Sequence, residues 1–136
     1  SWETTAYEAN RRLIKRVAPD VAVMASGDEH LLTCYVLGSD GSLVSLAVVI
    51  PEAIVALDAA VRNGDLVTAR EAHEVIYPLA KQIYGAKPKS HANARLKTCL
   101  KLLGRLEDDR VRPPHGPLGE AEVDDLRRAL AAAKLL

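Results

Sequence analysis

The chain has 136 residues, with 18 Lys or Arg against 18 Asp or Glu, so it carries no formal net charge at pH 7. That balance gives no electrostatic reason to expect nucleic acid or an anionic membrane surface as a partner. The longest apolar run, Leu43 to Ile50, falls far short of the roughly 18 residues that a membrane helix needs. No secretory leader is read at Ser1, and the expectation is a soluble cytoplasmic protein. Cys34 and Cys99 lie in apolar helical patterns without metal or redox spacing, and read as reduced core residues of an intracellular protein.

In chain order, Ser1-Trp2-Glu3 has no helical periodicity and reads as the end of a strand. Thr5 with Glu8 forms a capping-box pattern, and Ala6, Ala9, Leu13, Ile14 and Val17 recur at helical spacing, so a first helix is expected up to Pro19-Asp20. Its basic cluster, Arg11, Arg12, Lys15 and Arg16, reads as a solvated face near a helix C-terminus, where cations suit the dipole. Val21 to Ala25 predicts a strand. Ser26 with Glu29 repeats the capping-box pattern and opens a short helix through Leu31, Leu32, Tyr35 and Val36, which ends at Leu37-Gly38. After the turn Ser39-Asp40-Gly41-Ser42, the run Leu43 to Ile50 predicts a second strand. Strand, loop, helix and strand make a βαβ unit, and runs apolar on both faces belong in a parallel sheet covered by helices.

Everything after Ile50 reads as helical. Pro51 opens a helix that Asn63-Gly64 closes, and Asp65 caps a longer one whose stripe from Leu66 to Ile83 is interrupted by Pro78. A loop at Gly85 to Ser90 precedes a helix ending at Leu103-Gly104. The charged, proline-rich stretch from Leu106 to Leu118 reads as an extended strap. A last helix from about Glu120 aligns Val123, Leu126 and Leu130.

Two strands, or three with the stub at Trp2, leave both edges of a parallel sheet unpaired, so the chain reads as part of a larger sheet. Metal chemistry is not expected. Asp28, Glu29 and His30 are adjacent and point in different directions, and Tyr77 stands where a zinc helix beginning at His73-Glu74 needs its second histidine. His91 and His115 read as solvated, and Lys97 as structural.

Several segments then carry a resemblance in their order and spacing. They are Ser26-Gly27-Asp28-Glu29 after an apolar strand, Gly41-Ser42-Leu43-Val44-Ser45 opening the next, and Gly64-Asp65 before the long helix. Leu96-Lys97 and Leu102-Leu103-Gly104 follow, with Val111-Arg112-Pro113-Pro114 in the strap. Together they resemble the C-terminal half of the dihydrodipicolinate synthase and N-acetylneuraminate lyase family over essentially the whole chain. Members are (β/α)8 TIM barrels with an added helical bundle, usually tetramers, which make or break carbon–carbon bonds through a Schiff base between a lysine and pyruvate.

The resemblance implies an α/β fold, mostly α by content. Residues 1–64 would be the C-terminal part of a TIM barrel, about strands 6–8, with Val21 to Ala25 as the seventh strand and Leu43 to Ile50 as the eighth. Residues 65–136 would be the helical extension. A full barrel takes about 250 residues. The family's lysine ends the sixth strand; without gaps Trp2 occupies its slot and Glu3-Thr4-Thr5 follow, whereas with one or two inserted residues the lysine lies upstream of Ser1. The family's proton-shuttling tyrosine and its threonine pair belong to the N-terminal half. Gly27, with Ser26 beside it, corresponds to the loop after the seventh strand where the keto acid approaches backbone, and Val44 to the aliphatic residue beside the lysine. The implied protein is a pyruvate-dependent Schiff-base aldolase or lyase that needs no metal or other cofactor. Its partners are a small keto acid and an N-terminal half-barrel chain or further copies of itself. The alternative is a catalytically inactive truncated paralogue acting as a structural or regulatory subunit.

Overall fold

Residues 4–136 are described by a computed structural model, with side chains from Ala6 onward; the strand stub at Ser1-Trp2-Glu3, including Trp2 in the lysine slot, lies outside them. The described residues form six α-helices and one short parallel pair of strands. They group into two units, one made of the residues up to Ala47 with Pro51–Tyr77, the other of Val48–Ile50 with Pro78–Leu136.

In the first unit, α1 runs over Thr4–Val17. It is helical from Thr4, and the Glu8 carboxylate bonds Arg12; the Thr5 side chain of the expected Thr5–Glu8 capping box lies outside the described residues. The buried face also differs from the expected stripe. Tyr7 is buried and its hydroxyl donates to Val23 O, and Arg11 Nε donates to Gly38 O at 2.9 Å, while Leu13 and Val17 are 49% and 70% exposed. An arginine can cover a surface with its stem while its head finds a carbonyl, so periodicity in apolar residues alone chose the wrong face. Lys15, read as part of a solvated cluster, instead donates to Val21 O at 3.0 Å and pairs with Asp40 at 2.9 Å.

β1 is Met24–Ala25 and β2 is Gly41–Ser42, paired in parallel with Met24 opposite Gly41 and Ala25 opposite Ser42. Both are shorter than the expected Val21–Ala25 and Leu43–Ile50. Val23 still joins the edge by bonding to the carboxylate and N–H of Asp40. The second correction is larger. The Leu43 N–H donates to Ala25 O at 3.0 Å, and the chain then leaves the sheet for a 3-10 turn over Ser45–Val48 before Pro51 starts the next helix. An apolar run without alternation does not distinguish a buried strand from a buried helical turn. Here Leu46, Val49 and Ile50 are buried, while Leu43 is 83% exposed.

Between the strands, a 3-10 turn at Asp28–His30 leads into α2, Leu31–Val36, which ends at Gly38 with φ 86°. A Cβ on Gly38 would meet Arg11 Nη2 at 2.7 Å, so this glycine also makes room for α1. α3 spans Pro51–Arg62, with Ile54, Leu57 and Ala60 buried, and ends at Gly64 as expected. Asp65 caps α4, Leu66–Ala80, by accepting the Thr68 N–H at 3.0 Å. Pro78 removes one donor, yet the helix continues to Ala80 and then widens into a π turn over Lys81–Gly85.

In the second unit, α5, Ala92–Leu102, packs on α6, Glu120–Ala132, through buried Leu96, Cys99, Leu126 and Leu130. The strap between them has neither helix nor strand, in accord with its composition. It is tied to α5 by Lys97 Nζ on Arg110 O at 2.6 Å and by Thr98 and Lys101 on Asp109, and it roofs a cavity of about 320 Å³.

Candidate functional site

In a parallel sheet, the loops leaving the carboxyl ends of the strands are where a ligand finds unpaired backbone groups. Gly27 and Val44 each lie two residues beyond the paired Ala25 and Ser42, so the register brings both to this end. Gly27 has φ 99° and ψ 93°, in the range that L side chains avoid. A Cβ built there meets nothing closer than His30 Cδ2 at 4.0 Å, so glycine is required by backbone conformation and the space in front of it is open. Ser26 is half-buried and does not cap: Gly27 is the N-cap of the following turn, which has no side-chain cap bond. The capping-box expectation at Ser26–Glu29 fails because Gly27's positive φ takes the chain into the turn one residue later.

Val44 is half-buried between β2 and the 3-10 turn, outside any strand. Its neighbour Leu43, which sequence reasoning passed over, presents its side chain to solvent at this end of the strands. From the sequence, Asp28 reads as a member of the Ser26–Glu29 segment and of a metal or acid/base cluster with Glu29 and His30. It is buried, and its Oδ1 accepts the Leu46 N–H at 2.8 Å, tying the loop after β1 to the turn after β2. No spacing rule could have found this bond, because its partners are 18 residues apart and one is a main-chain group.

The opposite end of the strands is closed by charge. Asp40 accepts the Val23 N–H at 2.7 Å, pairs with Lys15, and gives its carbonyl to Arg62 at 3.0 Å. The Val23 hydrogen bond first, and Lys15 next, hold the Asp40 carboxyl below its usual range. One end of the pair is thus a closed polar network, and the other carries a glycine loop and an exposed leucine.

The two thiols and His91 are taken up by structure. Burial pushes the Cys34 thiol up and takes Cys99 to about 12, so neither is a nucleophile near neutral pH. Both are free and buried, as expected of core residues. His91, read as solvated, is half-buried with Nδ1 at 3.1 Å from Glu122. The same carboxylate takes Nε and Nη2 of Arg95, which is 1% exposed and also bonds the carbonyls of Ile83, Ala86 and Pro88. Among the described residues, no three His, Cys, Asp or Glu side chains gather so as to hold a metal ion, and no helix is long and apolar enough to cross a membrane.

The model of the dihydrodipicolinate synthetase family matches residues 3–133. The 4-hydroxy-tetrahydrodipicolinate synthase of Thermotoga maritima is 29% identical over 124 residues, covering 91% of this chain and 40% of the relative. The corresponding enzyme of Methanopyrus kandleri is 30% identical over 130 residues and is likewise covered over 40% of its length. Among solved structures, dihydrodipicolinate synthase from T. maritima superposes with a TM-score of 0.87 at 26% identity, over 98% of this chain and 44% of that one. The Escherichia coli prophage protein YagE, solved in complex with pyruvate, superposes with a TM-score of 0.87 at 27% identity over 98% of this chain and 44% of its own. The chain therefore spans about two fifths of the length of these relatives.

Proposed function

The chain belongs to the dihydrodipicolinate synthetase family, and from that premise we propose that it is the C-terminal portion of a pyruvate-dependent Schiff-base aldolase or lyase. In this reading residues 1–64 supply about strands 6–8 of a TIM barrel and residues 65–136 its helical extension. The observation that carries it is the open glycine loop at the carboxyl ends of β1 and β2, in a chain similar over nearly its whole length to a structure holding pyruvate. Barrel enzymes place their chemistry at that end.

Gly27, with Ser26, would let the keto acid approach the main chain without a Cβ in the way, and Val44 would form an apolar wall beside the imine. A lysine forms that imine by attacking the ketone carbon and expelling its oxygen as water, which leaves the pyruvate methyl acidic enough to become a carbon nucleophile. The lysine, and the tyrosine and threonines of the family's N-terminal half, would come from a half-barrel outside these residues, as would the contacts that choose the electrophile. The protein would act in the cytoplasm, with further copies of itself completing an oligomer.

One observation favours a second reading, in which the chain is a catalytically silent structural or regulatory subunit: an ungapped match to the family pattern puts Trp2 in the lysine slot, and an indole forms no imine.

Incubating the natively purified protein with pyruvate and borohydride, followed by denaturing intact-mass measurement, separates the two. A reduced pyruvate adduct on the polypeptide carrying the missing strands supports the lyase. Unmodified protein in every species rejects the Schiff-base mechanism and leaves the subunit reading.

A further inference from the structure

The site proposed above is made of two loops that share no side chain: Gly27 follows β1 and Val44 follows β2. The parallel ladder aligns them only as far as the Leu43 N–H on Ala25 O, and beyond it each loop goes its own way. Asp28 is the group that joins them again. Its carboxylate is buried, and Oδ1 accepts the Leu46 N–H at 2.8 Å. That N–H lies in the first turn of the 3-10 helix at Ser45–Val48, where main-chain donors have no partner within the helix. Asp28 is therefore a cap supplied from another loop. It directly follows Gly27, whose φ is positive.

We propose that Asp28 is a positioning residue. Its bond to Leu46 sets the distance between the Gly27 loop and the Leu43–Val44 segment, and so the width of the mouth that admits a small 2-keto acid. The inference rests on the reading of this end as the keto acid site, and it assigns Asp28 no contact with substrate. A charged acceptor suits the task. Hydrogen bonds to ionised groups are shorter and stronger than neutral ones, and a buried carboxylate that lost its donors would be costly, so the link resists opening from both sides.

The link and its role are tested separately. In Asp28→Ala, the Leu46 amide is expected to exchange with solvent about ten- to a hundredfold faster than in the parent, with the Leu57 amide of α3 unchanged; Asp28→Asn, which keeps an oxygen in place, returns Leu46 to within about threefold. An unchanged Leu46 rate in Asp28→Ala, or an equal acceleration at Leu57, overturns the link. Should Asp28→Ala not fold, Asp28→Ser, too short to reach Leu46, is read by the same criteria. In protein that also carries the lysine-bearing half, Asp28→Ala should raise the pyruvate KM for imine trapping about tenfold, leave the trapped yield at saturating pyruvate in place, and be rescued by Asp28→Asn. A parent protein that traps no imine sinks the reading of the site, and the exchange result still decides the link. A parent that traps it while Asp28→Ala keeps the parental KM sinks the positioning role.

Discussion

The two units are stabilised in opposite ways. The second is organised from within: Arg95, fully buried, gathers three main-chain carbonyls and Glu122, and thereby joins α5, the π turn with the residues after it, and α6. The first is locked at one end of its strands by Lys15, Asp40 and Arg62, and at the other leaves apolar surface in water. Among the described residues, the large exposed apolar side chains fall almost all in it, with Val17 at 70%, Leu43 at 83% and Val67 at 67%. A buried guanidinium with every donor directed is a self-sufficient hub. Exposed valines and leucines in the first unit are apolar surface that its own packing leaves in water.

The largest effect should come from breaking the hub. Arg95→Leu leaves three carbonyls without their donor and the Glu122 carboxylate with His91 alone, and should cost about 3–5 kcal/mol in urea unfolding; Arg95→Lys should recover only a minority of that, because a point charge cannot serve a fork of acceptors. A loss below about 1 kcal/mol would show that the hub is decorative. Gly27→Ala should come next, at about 1–3 kcal/mol, through the conformation at φ 99° and with no clash to relieve. Gly27→Asn, which tolerates positive φ better, should cost less. If the two cost the same, backbone strain is not the reason for glycine there.

A gentler probe of the hub is pH. Burial alone would raise the Glu122 carboxyl, but the hydrogen bonds from Arg95 and then His91 outweigh it and hold it below the usual glutamate range. A carboxylate depressed in the folded state adds stability that is present above its unfolded pKa, about 4.3, and lost as pH falls through the folded value. Urea midpoints followed downward from pH 6 should therefore fall more steeply in the parent than in Glu122→Gln, and parallel curves would remove Glu122 from the acid response. The smallest effect is expected at Leu43→Asn, within about 0.5 kcal/mol for the chain by itself, since an 83% exposed side chain loses little packing. If the proposed lysine-bearing half exists, the same change in protein that carries it should be felt in imine trapping. A large stability loss without that half would mean that Leu43 is already part of a core.

Most helices were legible because local chemistry marks their ends. Pro51 and Asp65 start helices where expected, Gly38, Gly64 and Gly104 close them with positive φ, and the strap is irregular as its prolines suggest. The strands were legible only as a parallel pair. Their lengths were overread, since an unbroken apolar run such as Leu43 to Ile50 satisfies a buried strand and a buried turn equally. The candidate site was half legible: Gly27 announces itself by residue type, whereas Asp28 reads as one of three adjacent acid and histidine side chains until its partner is known.

By itself, then, the amino-acid sequence determined the order of elements, the βαβ character of the first part, the helical character of the rest and, through residues spread from Ser26 to Pro114, the family likeness. These depend on neighbours in the chain or on order and spacing. Tertiary structure alone decided that α1 turns Tyr7 and Arg11 inward rather than Leu13 and Val17, that the chain leaves the sheet after Leu43, that His91 shares Glu122 with Arg95, and that Asp28 caps Leu46. Each joins groups distant in sequence, and several depend on a main-chain carbonyl or N–H, which every residue has and no sequence pattern can single out.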